Sequence, residues 1–540
     1  MIRRCITLLL FFCQQIQAVE CFAVNAEQPL PGKASDWTIA AVELQRNDIF
    51  DLNKKHVVWF HYLANDYHVI TDEQTIRDDL LFQTGQRLDP ALLNETERLL
   101  RSRRYLRHAE VSISHYCPAD NTVQVKVSSW DNWSLLPKIS LGHEGGETKT
   151  NLGFAEDNLW GTGNQLMVEY FSDSERHGYK TRFLSPNIMG SHWQTALQYA
   201  DNSDGETYQF RLNKPFYQLG SERAYGFEVF KDIKDISEYQ RGDVYNEYQS
   251  KVQYLSVDAG WKLGQQGQTV QRLSVGLKLD DRHFNANEYS TLPPPPDRDL
   301  SQVWLGFEWF ESNYQKLHNF YLFNKVEDIN FGWQFGARVG ALSTGLGAYS
   351  AGMQYQLSLN KTWAVGQSSW LVLNSDLHLL DATELPKQRL FNTQLRYIKH
   401  LSDNQVWLSQ LRLALGDNLF RDERIAIGGD EGMRAFPLYY QTGDKAVIAS
   451  SEYRYITPWH VYQLFDVAIA AFVDAGRAWD NPDQQIELDQ GRLYGYGIGL
   501  RLLPSHASRG SIISIDLSKP VTDNPELSGW RWRFIAKKEF

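Results

Sequence analysis

The stretch that decides the fold reads FGWQFGARVG, residues 331–340. In an extended chain Phe331, Trp333, Phe335, Ala337 and Val339 share one face, and Gly332, Gln334, Gly336, Arg338 and Gly340 share the other. Side chains of a strand alternate with a period of two, so one face here is apolar and the other polar or glycine. The theme returns in Val303, Leu305, Phe307 and Trp309, and again in Tyr494, Tyr496, Ile498, Leu500 and Leu502. Strands of roughly ten residues with an apolar outer and a polar inner face mark a transmembrane β-barrel. A soluble β-sandwich also alternates, but its connections need not be sorted by length. Counting back from Phe540, the links near 504–508, 457–462 and 402 fall on one side, and the segments 476–490 and 417–444 on the other. The first set is short and the second long, as periplasmic turns and external loops are.

The rest of the chain agrees. It carries 65 Asp and Glu against 54 Lys and Arg, which argues against a general nucleic-acid binder. Its 17 Trp and 27 Tyr suit the two borders of a bilayer. Residues 1–26 read as a secretory signal: Arg3 and Arg4 precede a short apolar run, with a cut after Ala18 or, preferred, Ala26. A cut after Ala26 leaves Cys117 as the one cysteine, and so no intramolecular disulfide. No other segment has the ~18 consecutive apolar residues of a membrane helix. About twenty alternating segments can be counted between Trp133 and Phe540. The loop TLPPPPD, 291–297, reads as a stiff spacer. In the final WRWRFIAKKEF, Trp530, Trp532, Phe534, Ala536 and Phe540 share a face, and the terminal Phe540 reads as the C-terminal assembly signal.

After a linker at 27–36, residues 37–131 read as a small α+β domain: strand, helix, helix, strand, strand. Residues 42–44 open it. Thr71 and Gln74 form a capping box before one helix, and Asp89 and Pro90 cap and start the next. Arg98, Arg101, Arg104 and Arg107 read as a solvated face. Val111 and Ile113, then Val123, Val125 and Val127, alternate as strands. So small a sheet has edges that accept a strand from another chain.

The segment 417–444 holds GGDEGMRAFP, residues 428–437. Structureless loops of this length are uncommon and often functional. On the strand 467–476, Phe472, Asp474 and Gly476 face the lumen, and on the next strand so do Gly495, Gly497, Gly499 and Arg501. Three alternating glycines leave room for something close. Arg434 has two readings: a bidentate pair with Asp474, or a free external loop whose arginine meets water. Asp430, Glu431 and Glu452 read as solvated carboxylates, and His378 as a lumen or interface residue. The Gly-x-Ser-x-Gly elbow, the Walker loop, the His-Glu-x-x-His pair and a cysteine cluster are all missing from the sequence. The expectation is therefore no enzyme, no catalytic residue, no metal and no cofactor.

Together these residues resemble the BamA/TamA outer-membrane assembly superfamily, which also holds the two-partner-secretion transporters. The small domain is similar to one POTRA unit. The segment GFAEDNLWGTG, 153–163, resembles the family's early hairpin. Met433-Arg434-Ala435-Phe436 is similar to the motif Val/Ile-Arg-Gly-Phe/Tyr of the sixth external loop, and Phe472, Asp474 and Gly476 match the partner motif Phe-x-Asp-x-Gly. Ala435 departs from the motif, and one POTRA unit is fewer than the family usually carries.

The resemblance implies a barrel at 132–540 of 16 strands, against up to about 20 by counting. It places the POTRA domain in the periplasm and the loop 417–444 inside the lumen, where Arg434 and Phe436 lock against Phe472, Asp474 and Gly476. It implies an outer-membrane protein that inserts or translocates polypeptides. The strand of Val123, Val125 and Val127 captures an unfolded client, outer-membrane lipid surrounds the barrel, and the barrel-assembly machinery acts during biogenesis; nucleic acid has no part. The alternatives are a passive channel or porin, and a lipid-handling or structural barrel.

Overall fold

The alternation at 331–340 belongs to a barrel strand, Gln334–Leu342, antiparallel to both Gln302–Glu311 and Gly352–Gly366. Val339 faces outward and is exposed. Gly340 faces inward, where an added Cβ would strike the Gln302 side chain. Phe331 and Trp333 continue the alternation but lie in the connection ahead of the strand.

The computed structural model describes residues 20–24, 29–53, 57–144, 147–481, 491–506, 512–522, 525 and 527–537. Within them, twenty antiparallel strands from Leu135–Glu144 to Arg531–Lys537 close into a barrel. The sixteen implied by the resemblance is thereby corrected. Counting alternations reached the right number because each strand carries its own period. The ring closes where Phe534 of the last strand pairs with His143 of the first. Phe540, read as the assembly signal, lies outside the described residues. Val303, Leu305, Trp407, Ile469, Val473, Ile498 and Trp532 are exposed on the outer face, as a lipid-facing belt requires.

Ahead of the barrel lies the small domain. Its strands are β1 (Phe22–Ala23), β2 (Thr38–Asn47), β3 (Leu106–Cys117) and β4 (Thr122–Asp131), in the spatial order β1-β3-β4-β2. Its helices are α1 (Trp59–Tyr67), α2 (Glu73–Arg77) and α3 (Pro90–Ser102). Asp89 caps α3 as its sequence predicts, accepting from the Ala91 amide at 2.9 Å. The capping box is not formed. Asp72 is the N-cap of α2, and the Thr71 hydroxyl donates to buried Asp131 instead.

Two further expectations are corrected here. Val123, Val125 and Val127 are core residues on β4, packed with Ile39, Ile76 and Leu100. β4 is paired on both sides, so neither its backbone nor these valines can receive a client. Among the described residues the open edge is the later part of β2: at its start Ile39 N–H donates to Gln86 O and Ile39 O accepts from the Gly85 amide, and no strand is paired outside residues 41–47. The outer edge of β3 is taken by β1 and fastened by a disulfide between Cys21 and Cys117, where no intramolecular disulfide was expected. The pairing partners lie 96 residues apart, and local periodicity cannot show such a match.

The domain sits across one end of the barrel, here called the near end. The Asp72 amide donates to Gly161 O at 2.9 Å, Asn187 Nδ2 to Asp79 Oδ1 at 2.9 Å, and the Leu219 amide to Glu95 Oε1 at 2.7 Å. Three successive barrel turns therefore touch it. Gly163 has φ +71°, and a Cβ there would lie 2.6 Å from the Tyr105 ring. That close approach is why the early hairpin ends in glycine. A further near-end connection, 312–333, forms a small hairpin, Tyr314–His318 with Val326–Asn330.

Candidate functional site: an arginine clamp in the lumen

The loop between Gln405–Asp417 and Lys445–Val461 enters the barrel from the far end and turns back inside it. Gly428 and Gly432 make the reversal with φ of +128° and +106°. A Cβ on Gly428 would also meet the Pro437 carbonyl at 2.1 Å. Beyond the turn Met433, Ala435 and Phe436 are at most 1% exposed, packed with Ile427, Ala446, Ile448 and Leu493. The reading of a free external loop is excluded.

Arg434 is clamped on several sides. Its Nε donates to Asp474 Oδ2 at 2.8 Å and its Nη2 to Asp474 Oδ1 at 2.7 Å, the parallel pair expected of arginine on a carboxylate. Its Nη1 donates to Glu452 Oε2 at 2.6 Å. The guanidinium lies 3.6 Å from the Phe472 ring centroid, a cation–π contact in a desolvated place. The Arg434 carbonyl accepts from the Ser518 hydroxyl at 3.3 Å.

The glycine face answers to the loop and the clamp. A Cβ on Gly476 would meet Met433 Sδ at 2.8 Å, and one on Gly495 would meet Ala435 Cβ at 2.9 Å. On Gly497 it would meet Phe472 Cζ at 2.5 Å, and on Gly499 Asp516 Oδ1 at 2.1 Å. Gly476 and Gly495 leave room for the loop, and Gly497 and Gly499 for the groups around it. Ala435 is not among the residues of positive φ. Its backbone therefore does not call for the motif glycine, and Gly495 opposite it leaves space for its methyl.

Sequence reading missed the deeper half of this network. Glu452, read as a solvated carboxylate, is buried and accepts from three arginines. Besides Arg434 these are Arg454 Nε at 2.6 Å and Arg501 Nη2 at 2.8 Å. Arg501 Nη1 reaches Asp516 Oδ1 at 2.6 Å, and Arg533 Nη1 reaches Asp516 Oδ2 at 3.0 Å. A chain of charge-assisted bonds thus runs from the loop across the last five strands, ending on Arg531–Lys537 at the seam. Strand register was the signal that could have found it: Glu452 lies opposite Phe472, and Asp516 opposite both Gly499 and Arg533.

Beneath the clamp is a cavity of about 280 Å³, lined by Arg396, Arg412, Arg454, Arg501 and Arg533 among others. Among the described residues no group of three or more His, Cys, Asp or Glu is placed to hold a metal ion. A buried ion pair adds little net stability over apolar packing, whereas leaving either of its partners unmatched is costly.

Residues 158–534 match the model of the Omp85 superfamily domain. Similar solved structures include CdiB from Acinetobacter baumannii, at 13% identity, covering 92% of this chain and 73% of that one, with a TM-score of 0.47. BamA from Haemophilus ducreyi lacking POTRA domains 1–3 follows at 13% identity, with 96% and 89% covered and a TM-score of 0.41. CdiB from Escherichia coli gives 12% identity, 92% and 90%, and 0.36. No curated protein matches the chain.

Proposed function

The chain belongs to the Omp85 superfamily, and from that premise we propose that it inserts or translocates polypeptides at the outer membrane. The observation that carries this reading is the Arg434 clamp. Here a loop is folded into the lumen and tied by ion pairs to the strands beside the seam, a link that simple conduction does not require. An arrangement of that kind suits a conduit that must change state to pass a chain.

In this reading the near end faces the periplasm and the small domain is a single POTRA-like unit at about 37–131, followed by the barrel. A client in extended form adds to the open later part of β2 by backbone pairing, in place of the β4 valines. It then meets the barrel through the lumen or at the seam, where Phe534 and His143 are paired. The clamp holds loop and seam strand in one register until the client arrives. The targeting segment is removed after Ala18, since Cys21 is needed for the bond to Cys117.

Depletion of the protein in cells tests the proposal. Loss of specific secreted or membrane-inserted proteins from the outer membrane is expected, restored by wild type and not by Arg434→Ala at equal barrel level. Equal restoration by both would remove the clamp from the mechanism. No change in any surface protein would leave a passive channel or a structural barrel.

A further inference from the structure

The connection 312–333 is far longer than near-end turns such as 267–268, 367–368 and 403–404. Its hairpin tip, 319–325, enters the barrel mouth. Phe320 and Phe323 are 1% and 2% exposed, packed on Val372, Ile398, Leu408 and Leu503, which point inward at the near ends of their strands. The tip has a built shape: the amides of Phe320, Tyr321 and Leu322 all donate to Glu327 Oε2, at 3.0, 2.9 and 3.1 Å. Anchors to the barrel surround it. His400 Nε2 donates to Asn319 O at 2.8 Å, Asn324 Nδ2 to Asp466 Oδ1 at 2.9 Å, and Lys325 Nζ to Ser505 O at 3.1 Å.

The stem of the hairpin is held by α3 of the small domain. Arg101 donates Nε to Asp328 Oδ2 at 2.8 Å and Nη2 to Asp328 Oδ1 at 2.7 Å. Glu97 pairs with both Lys316 and Arg101, and the Arg98 guanidinium lies 4.0 Å over the Tyr314 ring. This corrects the reading of the α3 arginines as a solvated face: Arg98 and Arg101 are an interface. Burial pushes the Glu97 carboxyl up, but its bonds from Lys316, the Val111 amide and Arg101 outweigh this and hold it below its ordinary value.

One residue joins the hairpin to the clamp. Arg454 donates Nε to Glu452 and Nη1 to the Tyr321 carbonyl at 3.3 Å. The small domain, the hairpin tip and the Arg434 loop are thus parts of one connected path. A lone two-stranded hairpin is marginal in water, so this one keeps its place through its partners at stem and tip.

We propose that the hairpin 312–333 is a near-end gate: it closes the lumen at rest, α3 latches it shut, and it withdraws when a client docked on the small domain shifts α3 off the hairpin stem. The trigger rests on the proposed function; the closure does not. Closure is therefore tested by ion conductance of the full-length protein in planar bilayers, which needs no client. Arg101→Ala should raise mean conductance about ten-fold or more, as expected when a closed population loses its latch. Replacing 319–325 by a two-residue Asn-Gly turn should raise it at least as far. Adding Asn324→Cys and Asp466→Cys to Arg101→Ala should return conductance to the wild-type level when oxidised, and reductant should release it, with reduced wild type as control. Wild-type conductance in an assembled turn-replacement barrel would overturn the gate, and so would an oxidised lock that conducts as freely as its reduced form. Wild-type conductance in Arg101→Ala would overturn the latch.

Discussion

Arg434→Ala removes the two bonds to Asp474, the bond to Glu452 and the cation on Phe472. No ladder hydrogen bond of the barrel involves this side chain, so the barrel should assemble and run as a folded species on gels. What changes is the docking of the loop. Asp474 is 3% exposed, and stripping a buried carboxylate of its partner costs about 3–5 kcal/mol. At 1.4 kcal/mol per decade this shifts the docked-to-undocked ratio of the loop by about two to three and a half orders of magnitude. Hydrogen exchange read by mass spectrometry on a peptide spanning 427–440 reports it directly. The Phe436 amide is bonded to Met433 O, and the Gly429 amide also donates to Met433 O, so both are protected only while the tip keeps its fold. The expected result is exchange accelerated by two orders of magnitude or more in this peptide, with 465–479 unchanged. Unchanged exchange at 427–440 in an assembled variant would refute the claim that Arg434 holds the loop.

Gly497→Val should disturb the wall by overpacking against Phe472 and the Leu517 carbonyl, at a cost of about 1–3 kcal/mol or more, seen as a lower midpoint of heat-induced barrel unfolding. Ala435→Gly should cost less than about 1 kcal/mol, because the backbone there is not left-handed and only a methyl contact is lost; loop exchange close to wild type is the check. Lys325, buried beside Arg107 and also facing Asp466 and Glu327, is pushed down to about 8 from 10.5. The unfolded state thus binds more protons between pH 8 and 10.5, so hairpin seating should tighten as pH rises through that window, and Lys325→Met should remove the dependence from a conductance titration. Intact mass of the mature protein should give an N-terminus at Val19 and two hydrogens fewer than the reduced chain, a result incompatible with cleavage after Ala26.

The outer and inner faces of the barrel strands were legible because a period of two is local: Val303, Leu305 and Val339 could be placed without knowing their neighbours. Arg434 and Asp474 were legible because each lies in its own recognisable context and parity brings both to one lumen. Glu452, Arg501, Asp516 and Arg533 were not. A lumen carboxylate surrounded by arginines looks the same in sequence as one surrounded by water, and only register separates them. The α3 arginines failed for the same reason, since Arg101 meets Asp328 across 227 positions. The valines of β4 failed differently: their alternation showed a strand correctly but could not show whether it lay at the edge or the middle of the sheet. Phe331 and Trp333 carried the barrel alternation beyond the strand, into the stem of a hairpin whose tip no periodicity announced.

Client capture at the sheet edge is tested by photocrosslinking in living cells from the exposed positions Glu43 and Gln45 of β2, with Val125 of β4 as the internal control. Adducts to an unfolded polypeptide are expected from β2, none from Val125, and a higher adduct yield when Arg434→Ala uncouples the loop and the client stalls on β2. Adducts missing from both β2 positions, in cells whose surface proteins depend on this protein, would contradict capture at that edge.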